Sequence, residues 1–189
     1  MDRGVGVDRD LVEQARRGDR DAFAVLAAAT VDRLYAIARV TLRDSDRAED
    51  AVQETLVRSW RDLPSLRDPD KFEAWQRRLL MRAITDEFRR GRRYEAQVRV
   101  LRAEPAAQDA TSALADRDEL DRGFRRLSPE HRAILVLRHF QGLSLPEVAD
   151  ALGVPEGTAK SRLHYATEAM RAALEADART HPVGQERTA

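Results

Sequence analysis

The stretch SLPEVADALGVPEGTAKSRL, residues 144–163, constrains the fold more than any other part of the chain. Val148, Ala149 and Leu152 form one apolar face at helical spacing, and Gly153 permits a tight turn directly after them. A second apolar face at helical spacing follows that turn, at Ala159, Leu163, Ala166 and Met170. Two helices joined by a short glycine turn are typical of a helix-turn-helix.

The opposite face of the second helix carries side chains that suit contact with DNA. This helix begins with small residues, which let the backbone approach phosphates, and its free N–H groups attract an anion. Cationic and hydroxyl side chains follow one turn later, within reach of base edges and backbone. The candidate DNA-binding residues are Gly157, Thr158, Lys160, Ser161, Arg162 and His164. An ordinary surface helix with solvated charges is the alternative interpretation.

Capping signals divide the rest of the chain into further helices and predict an all-α protein. Charged residues make up 35% of the 189 residues and aromatic residues only 5%, which favours helices around small cores. Asp19 is a candidate N-cap, and Asp46 with Glu49 resembles a capping box. Ser128 followed by Pro129 is a helix start. Neither strand-like alternation nor an internal repeat occurs in the sequence.

The predicted architecture is two small helical domains joined by a flexible linker, with the helix-turn-helix in the second domain. Residues 102–118 are rich in alanine, contain a proline and lack a strong apolar period, which is typical of a linker. The predicted boundaries are residues 1–97 for the first domain, 98–116 for the linker, 117–176 for the second domain and 177–189 for a tail.

A basic segment, RRLLMRAITDEFRRGRR, covers residues 77–93. It contains the second half of the fourth predicted helix, which we expect to begin near Pro69 and to end at Gly91. Seven arginines and two acidic residues give it a local charge of +5 (seven minus two), although the formal net charge of the whole chain is +0. Such a cluster around Phe88 favours phosphate contacts, and a solubilising helix end is the alternative.

An acidic helix face lies earlier in the chain, within DSDRAEDAVQETLVRSW at residues 44–60. Asp50, Gln53, Glu54 and Val57 recur at the i, i+3, i+4 and i+7 positions of one helix face. A face rich in carboxylates, with valine and glutamine among them, suits a basic helical partner. A plain solvated helix face is the alternative interpretation.

Taken together, these motifs resemble the extracytoplasmic-function sigma factors, small two-domain members of the sigma-70-type family. The resemblance covers nearly the whole chain, through LVEQARRGDRDAFAVL, DRAEDAVQETLVRSW, KFEAWQRRLLMRAITDEFRRGRR and LSPEHRAILVLRHFQGLSLPEVADALGVPEGTAKSRLHYA. It implies a protein that binds bacterial core RNA polymerase and directs it to promoter DNA. The first domain would recognise and open the minus-10 element, and the second would bind the minus-35 element as duplex.

The resemblance also assigns residues to each task. The surface for core polymerase would comprise Asp46, Glu49, Asp50, Gln53 and Glu54. The minus-10 segment would comprise Arg82, Asp86, Arg89, Arg90, Arg92 and Arg93. The stretch from Gly157 to His164 matches the minus-35 recognition helix. Whether an anti-sigma protein is a further partner stays open.

Signals of other protein classes do not occur in the sequence. There is no cysteine, and the four histidines form no metalloprotease pattern, so we expect no enzymatic activity, no cofactor and no metal. No apolar run has transmembrane length, and the first residues are charged, which predicts a cytoplasmic protein without membrane insertion. A single-domain transcriptional regulator with a helical dimerisation half is the rival interpretation. A regulator would footprint DNA by itself, whereas a sigma factor would need core polymerase.

Overall fold

The computed structural model describes residues 7–101 and 115–180, and within these ranges the chain is helical, without strands. The all-α prediction is therefore confirmed. Two 3-10 turns, Leu63–Ser65 and Pro69–Lys71, precede the fourth helix, and a π-helical turn, Val136–Phe140, follows the sixth. The α-helices are α1 (Arg9–Arg16), α2 (Arg20–Leu42), α3 (Ser45–Asp62), α4 (Phe72–Leu101), α5 (Ala115–Arg126), α6 (Pro129–Leu135), α7 (Leu145–Leu152) and α8 (Glu156–Thr180).

Local capping residues explain where two of these helices begin. The Asp19 carboxylate accepts hydrogen bonds from two N–H groups in the first turn of α2, at 2.9 and 3.1 Å. The Ser128 hydroxyl accepts a hydrogen bond from the His131 N–H at 3.2 Å, and Pro129 stands at the first position of α6. Both helix starts are confirmed, because each side chain satisfies an N–H group that has no partner inside its own helix.

The start of α3 corrects one prediction. Asp46 and Glu49 do not form a capping box there, because α3 begins at Ser45 and Asp44 is its N-cap. The Asp44 carboxylate accepts a hydrogen bond from the Arg47 N–H at 3.0 Å. Two neighbouring aspartates fit the capping pattern equally well, and only the path of the backbone decides between them. Asp46 and Glu49 instead lie exposed on α3.

The fourth helix is longer than predicted. It continues through Gly91 to Leu101, and α5 begins at Ala115, so helix covers both ends of the predicted linker 98–116. A single glycine inside a helix costs only about 1 kcal/mol, and arginine, alanine, glutamine and leucine, which favour helix, follow Gly91. Residues 102–114, the rest of that linker, lie outside the described residues.

The last helix also extends beyond its predicted end. Asp177 was assigned to a tail, but it belongs to α8 and is only 3% exposed. Its carboxylate accepts a hydrogen bond from the Arg122 guanidinium of α5 at 2.5 Å. Close by, a Cβ atom on Gly123 would lie 2.9 Å from the Met170 sulfur, so glycine permits α5 to cross α8 closely. A buried ion pair and a tight helix crossing therefore hold the end of α8.

Two apolar clusters hold the helices together. The smaller one, around Val12 and Phe72, packs α1 against the start of α2 and the connection between α3 and α4. The larger one joins α2, α3 and α4 to α6, α7 and α8, and its centre includes Ile37, Ile84 and Ile134, all 0% exposed. The two predicted helical domains are therefore present, and their apolar residues also pack against each other, which the sequence did not indicate. The domain boundaries themselves stay a prediction.

Candidate nucleic-acid interface

Helices α7 and α8 form the predicted helix-turn-helix. Gly153 ends α7 with φ of 65°, in the left-handed region that favours glycine. The Val154 N–H donates to the Ala149 carbonyl at 3.0 Å, and the Gly153 N–H donates to the Asp150 carbonyl at 3.2 Å. These two hydrogen bonds are those of a Schellman motif, which closes the end of α7. The turn thereby fixes the direction in which α8 leaves.

The start of α7 is fixed by the predicted pair of Ser144 and Glu147. The Glu147 carboxylate accepts hydrogen bonds from the Ser144 N–H at 2.8 Å and from the Ser144 hydroxyl at 2.6 Å. These hydrogen bonds hold the pKa of Glu147 below its ordinary value, because they stabilise the ionised carboxylate. With both of its ends fixed, α7 is a firm support for α8.

The first three turns of α8 bring the six predicted minus-35 residues together on the surface. Ala159 and Ala166, both 0% exposed, pack inward and set the orientation of the helix. Of the six, Thr158 and Arg162 are half-buried. The exposed members are Gly157, Lys160, Ser161 and His164. The predicted face is therefore a continuous surface rather than a set of scattered positions.

The polar groups of this face are largely available to a partner. Lys160 and Arg162 form no ion pair with any residue that the structure describes. The Ser161 hydroxyl donates to the Thr158 carbonyl at 3.0 Å, so it must rotate before it can donate to DNA. A Cβ atom on Gly157 would meet no atom within 4 Å, so the tip of the helix faces open space. A thin tip with free cations behind it can enter a groove.

Tyr165 extends this face and was missed in the sequence. It is 62% exposed, and its ring centroid lies 5.5 Å from that of His164. Its position in the sequence could have indicated this exposure, because Tyr165 directly follows His164 and does not belong to the apolar helix face that contains Ala159 and Ala166. An exposed aromatic beside a cationic face can contact apolar base edges or sugars.

Arg82, Arg89 and Arg90 are the arginines of the predicted minus-10 segment whose side chains are described, and all three are exposed. Arg82 forms no ion pair with any of the described residues. The side chain of Arg89 is 66% exposed, and its guanidinium lies 3.8 Å from the Asp86 carboxylate. Arg92 and Arg93 also belong to α4, but their side chains lie outside the described residues.

Asp86 and Arg90 are each held by a close charged partner within the protein. The Asp86 carboxylate accepts a hydrogen bond from the Arg58 guanidinium of α3 at 3.1 Å. Arg90 lies 2.7 Å from the Glu87 carboxylate, whose side chain is only 7% exposed. A buried carboxylate needs a cation close by, so Arg90 stabilises Glu87. Arg82 and Arg89 are therefore better placed than this pair to contact DNA.

The acidic face of α3 lies on the surface as predicted. Its exposed members are Asp46, Glu49, Asp50 and Gln53, and Val57 is 60% exposed. Glu54 is half-buried and accepts a hydrogen bond from Arg58 at 2.6 Å. Because Arg58 also binds Asp86, it connects this acidic face to the basic segment of α4, a link that the sequence analysis missed.

Among the residues that the structure describes, no group of three histidine, aspartate or glutamate side chains is placed to hold a metal ion. None of the described helices has the length and apolar character needed to cross a membrane.

Comparison with known proteins identifies two matching regions. The family model "Sigma-70 region 2" matches residues 26–94, and "Sigma-70, region 4" matches residues 123–172. The ECF RNA polymerase sigma factor SigL of Mycobacterium tuberculosis is 36% identical over 167 residues, which cover 84% of this chain and 94% of SigL. SigW of Bacillus subtilis, also an ECF RNA polymerase sigma factor, is 27% identical over 176 residues, covering 86% and 94%.

Solved structures agree as well. CnrH, in complex with the cytosolic domain of CnrY, superposes with a TM-score of 0.64 at 28% identity, covering 90% of this chain and 99% of CnrH. The sigma factor RpoE of Bartonella quintana, in complex with the anti-sigma factor NepR, gives a TM-score of 0.64 at 26% identity, covering 82% and 98%.

The two matched regions and the surfaces they contain define an RNA polymerase sigma factor of the sigma-70 type. Within that class, the chain belongs to the extracytoplasmic-function (ECF) sigma factors. This family directs transcription initiation at promoters and is not known for enzymatic activity.

Proposed function

We propose that this sigma factor reads the minus-35 element with the start of α8, contacts the minus-10 element with α4 and binds core polymerase with α3. The observation that carries the proposal is the exposed face of α8. There, Lys160 and Arg162 have no ion-pair partner among the described residues, and the tip at Gly157 faces open space. A helix with these properties fits a major groove, where base edges can be distinguished.

At the minus-35 element, phosphate and base contacts are expected to come from different residues. Lys160 is exposed, and a lysine ammonium on its long side chain suits a phosphate contact. Arg162 is half-buried, so fewer of its conformations are available, and its planar guanidinium suits two hydrogen bonds to one base. Ser161 and His164 lie on the helix face between these two cations and would approach the bases. Gly157 and Thr158 let the helix tip approach the backbone.

At the minus-10 element, Arg82 and Arg89 contact the DNA from the surface, with Arg92 and Arg93 further along the same helix. Asp86 and Arg90 keep this part of α4 in place, through ion pairs with Arg58 and with the buried Glu87. Arginines spaced along a helix suit the closely spaced phosphates of a DNA strand.

On α3, Asp46, Glu49 and Asp50 have no ion-pair partner among the described residues, and Gln53 and Val57 continue the row. An acidic row that ends in an apolar side chain complements a basic helical surface of core polymerase. Glu54 belongs to the same row but is partly occupied by Arg58.

The remaining partners follow from the family. We place the protein in the cytoplasm, where core polymerase and promoter DNA meet. An anti-sigma protein is included among its partners, because CnrH and RpoE were solved with CnrY and with the anti-sigma factor NepR.

The test is transcription with purified components. The protein is added to bacterial core RNA polymerase and a promoter library, and the run-off transcripts are sequenced. We expect transcripts only when protein and core polymerase are both present, from templates that share two spaced elements. A footprint on the same DNA without core polymerase would favour the rival regulator. No transcripts above core polymerase alone would refute the proposal.

A further inference from the structure

The longest described helix contains a glycine in its interior. Gly91 lies within α4, ten residues before the helix ends at Leu101. Glycine is the least favourable residue of a helix interior after proline, because it has the most backbone freedom to lose. Gly91 does not have a positive φ, so its backbone conformation does not require glycine. Its surroundings supply the reason instead.

The guanidinium of Arg47, near the start of α3, lies where a side chain on residue 91 would begin. A Cβ atom on Gly91 would be 2.8 Å from the Arg47 Cζ and 3.1 Å from its Nη1, and still closer to its Nη2. Non-bonded heavy atoms do not pack this closely, so alanine at position 91 would displace the guanidinium. Glycine thus permits Arg47 to lie directly against the backbone of α4.

From this position, Arg47 binds Glu87 of α4 in two ways. Its Nη2 donates a hydrogen bond to the Glu87 carbonyl at 2.6 Å. Its Nε lies 3.9 Å from the Glu87 carboxylate, whose side chain is 7% exposed. In an α-helix, the Glu87 carbonyl also accepts a hydrogen bond from the N–H of residue 91, and its second lone pair is available to Arg47. One side chain of α3 therefore binds both the main chain and the side chain of Glu87.

This contact lies within the proposed minus-10 segment. Residues 89–93 read RRGRR, so arginines stand on both sides of Gly91. Helix α3 begins only two residues before Arg47, whereas α4 continues for ten residues after Gly91. The contact is therefore at the end of the surface that α3 offers to α4. The direction of α4 at this point determines where the arginines that follow it lie.

We propose that Arg47 is a positioning residue for minus-10 recognition, which lies against Gly91, binds Glu87 and thereby sets the path of α4 through the RRGRR stretch. The inference rests on the proposed assignment of this stretch to the minus-10 element. Arg47 itself need not contact DNA. It acts through the backbone of α4, because a side chain that binds a helix carbonyl from outside changes the local direction of the helix.

A contribution of Arg47 to stability alone is the alternative, and two observations argue against it. Arg90 already lies 2.7 Å from the Glu87 carboxylate, so Glu87 has a closer cation than Arg47. The close fit to Gly91 depends on the flat shape of the guanidinium rather than on its charge. Lysine would retain the charge, but its ammonium cannot lie flat against a backbone.

The first test is a double-mutant cycle between positions 47 and 91. Gly91→Ala should fold, because the group that it displaces is the end of a flexible side chain. In the wild-type background its Tm should change by less than about 2 °C, since the gain in helix propensity offsets the lost contact. In the Arg47→Ala background, Gly91→Ala should raise the Tm by about 2–4 °C, because no such contact is left to lose. Equal shifts in both backgrounds would show that the two residues do not interact, and would overturn the inference.

The second test measures promoter opening by the holoenzyme, through permanganate reactivity at saturating core polymerase. Arg47→Ala and Gly91→Ala should each slow opening about three- to ten-fold, and the double variant should be no slower than the slower single variant. Arg47→Lys should be slow as well, although it retains the charge. Affinity for core polymerase should not weaken, because the substitutions remove no carboxylate from α3.

Arg61→Ala is the matched control for the loss of an arginine from α3. The Arg61 side chain is 66% exposed and pairs with the neighbouring Asp62, so this variant should open promoters at the wild-type rate. A second readout separates positioning from stability. Gly91→Ala should slow opening without lowering the Tm, and selection of minus-10 variants by its holoenzyme should give a changed preference profile. An unchanged profile with an unchanged opening rate would refute the positioning role.

The outcomes distinguish this inference from the proposed function. If the wild-type protein with core polymerase initiates at no promoter, the proposed function fails, whatever the thermal cycle shows. If Arg82→Ala with Arg89→Ala impairs opening while Arg47→Ala and Gly91→Ala do not, the minus-10 surface stands and the positioning role of Arg47 alone is refuted.

Discussion

Arg43 and Asp121 form a two-pronged ion pair across 78 residues of chain, with Nη2 to Oδ2 at 3.0 Å and Nη1 donating also to the Asp121 carbonyl at 3.1 Å. Arg43 ends α2 with φ of 59°, a left-handed conformation that costs a non-glycine residue about 1–2 kcal/mol. Glycine would adopt this conformation more easily, so the presence of arginine at this position is explained by the contacts of its side chain. That side chain joins the two halves of the protein.

This ion pair makes the contact between the two halves of the protein dependent on pH. Hydrogen bonding from Arg43 holds the pKa of Asp121 below its ordinary value of 3.8, and the nearby charges of Arg125 and Arg39 act in the same direction. The contact is therefore fully present above the ordinary pKa and is lost as pH falls through the lowered one. The chain has no cysteine, so Val25→Cys on α2 and Ala172→Cys on α8, both at exposed positions, can carry one dye each. We expect constant energy transfer between these dyes from about pH 8 to about pH 5 and a decrease below about pH 4.

The control for this titration is Asp121→Asn, which retains the shape of the side chain without its charge. Its transfer should start lower at neutral pH and should decrease less in acid. An identical acid decrease in this variant would assign the pH dependence to other carboxylates of the interface.

Charge reversal on α3 tests the polymerase-binding surface. Glu49→Lys with Asp50→Lys should weaken binding to core polymerase about ten-fold or more, because two attractive contacts become repulsive. Both residues are exposed and unpaired among the described residues, so folding should not change. Asp32→Lys with Glu175→Lys, two exposed acids elsewhere on the described surface, is the matched control. Equal co-purification of both variants with core polymerase would contradict the assignment.

Loss of arginine from α4 tests the minus-10 surface. The double variant Arg82→Ala with Arg89→Ala should impair strand opening more than duplex binding. It should also make strand opening less sensitive to salt, because fewer phosphate contacts release fewer counterions. Permanganate reactivity of the opened strand is the measurement. Arg90→Ala is a useful comparison, since loss of its contact with buried Glu87 should lower the thermal stability of the protein. Normal opening by the double variant at moderate salt would exclude these arginines.

The tip of α8 tests the minus-35 surface most directly. Gly157→Leu adds bulk where no atom lies within 4 Å, and leucine favours helix over glycine by about 1 kcal/mol, so the variant should fold at least as well as wild type. It should nevertheless lose minus-35 binding, because the added side chain holds the helix away from the groove. Circular dichroism checks the fold, and full-strength transcription by the folded variant would restore the plain surface-helix interpretation.

Lys160 and Arg162 should separate affinity from sequence preference. Lys160→Ala should weaken binding to all minus-35 sequences alike and reduce the salt slope by about one, as expected for a phosphate contact. Arg162→Ala should also flatten the preference at one or two positions, at a cost of about 1–3 kcal/mol. Selection of minus-35 variants by each mutant holoenzyme provides the measurement. The same preference profile for both variants would show that neither cation reads a base.

Local features of the fold could be predicted from the sequence. The glycine turn at Gly153 and the caps at Asp19 and Ser128 depend on residues within a few positions of each other, and the structure has them as expected. The exposed faces of α3 and α8 also follow from helical periodicity alone. Sequence patterns are informative for residues a few positions apart, because the helical backbone itself determines where such side chains lie relative to each other.

Contacts across long stretches of chain could not be predicted in this way. Arg58 binds Asp86 across 28 residues, and Arg122 binds Asp177 across 55. In a chain where 33 residues are lysine or arginine and 33 are aspartate or glutamate, residue type does not specify which cation meets which anion. For the same reason, the sequence did not show that the cores of the two domains pack against each other, because an apolar face does not specify its partner.

The anchored end of α8 makes this helix a lever. Asp177 is fixed to α5 through Arg122, and Lys160 lies 17 residues away on the same helix, about 25 Å at 1.5 Å per residue. A tilt of about 5° at the fixed end would displace the end that we propose to read DNA by about 2 Å, comparable to most of one base-pair step. On that proposal, substitutions near Asp177 would alter which bases are read without touching DNA. The helix crossing at Gly123 would then contribute to specificity together with the side chains that enter the groove.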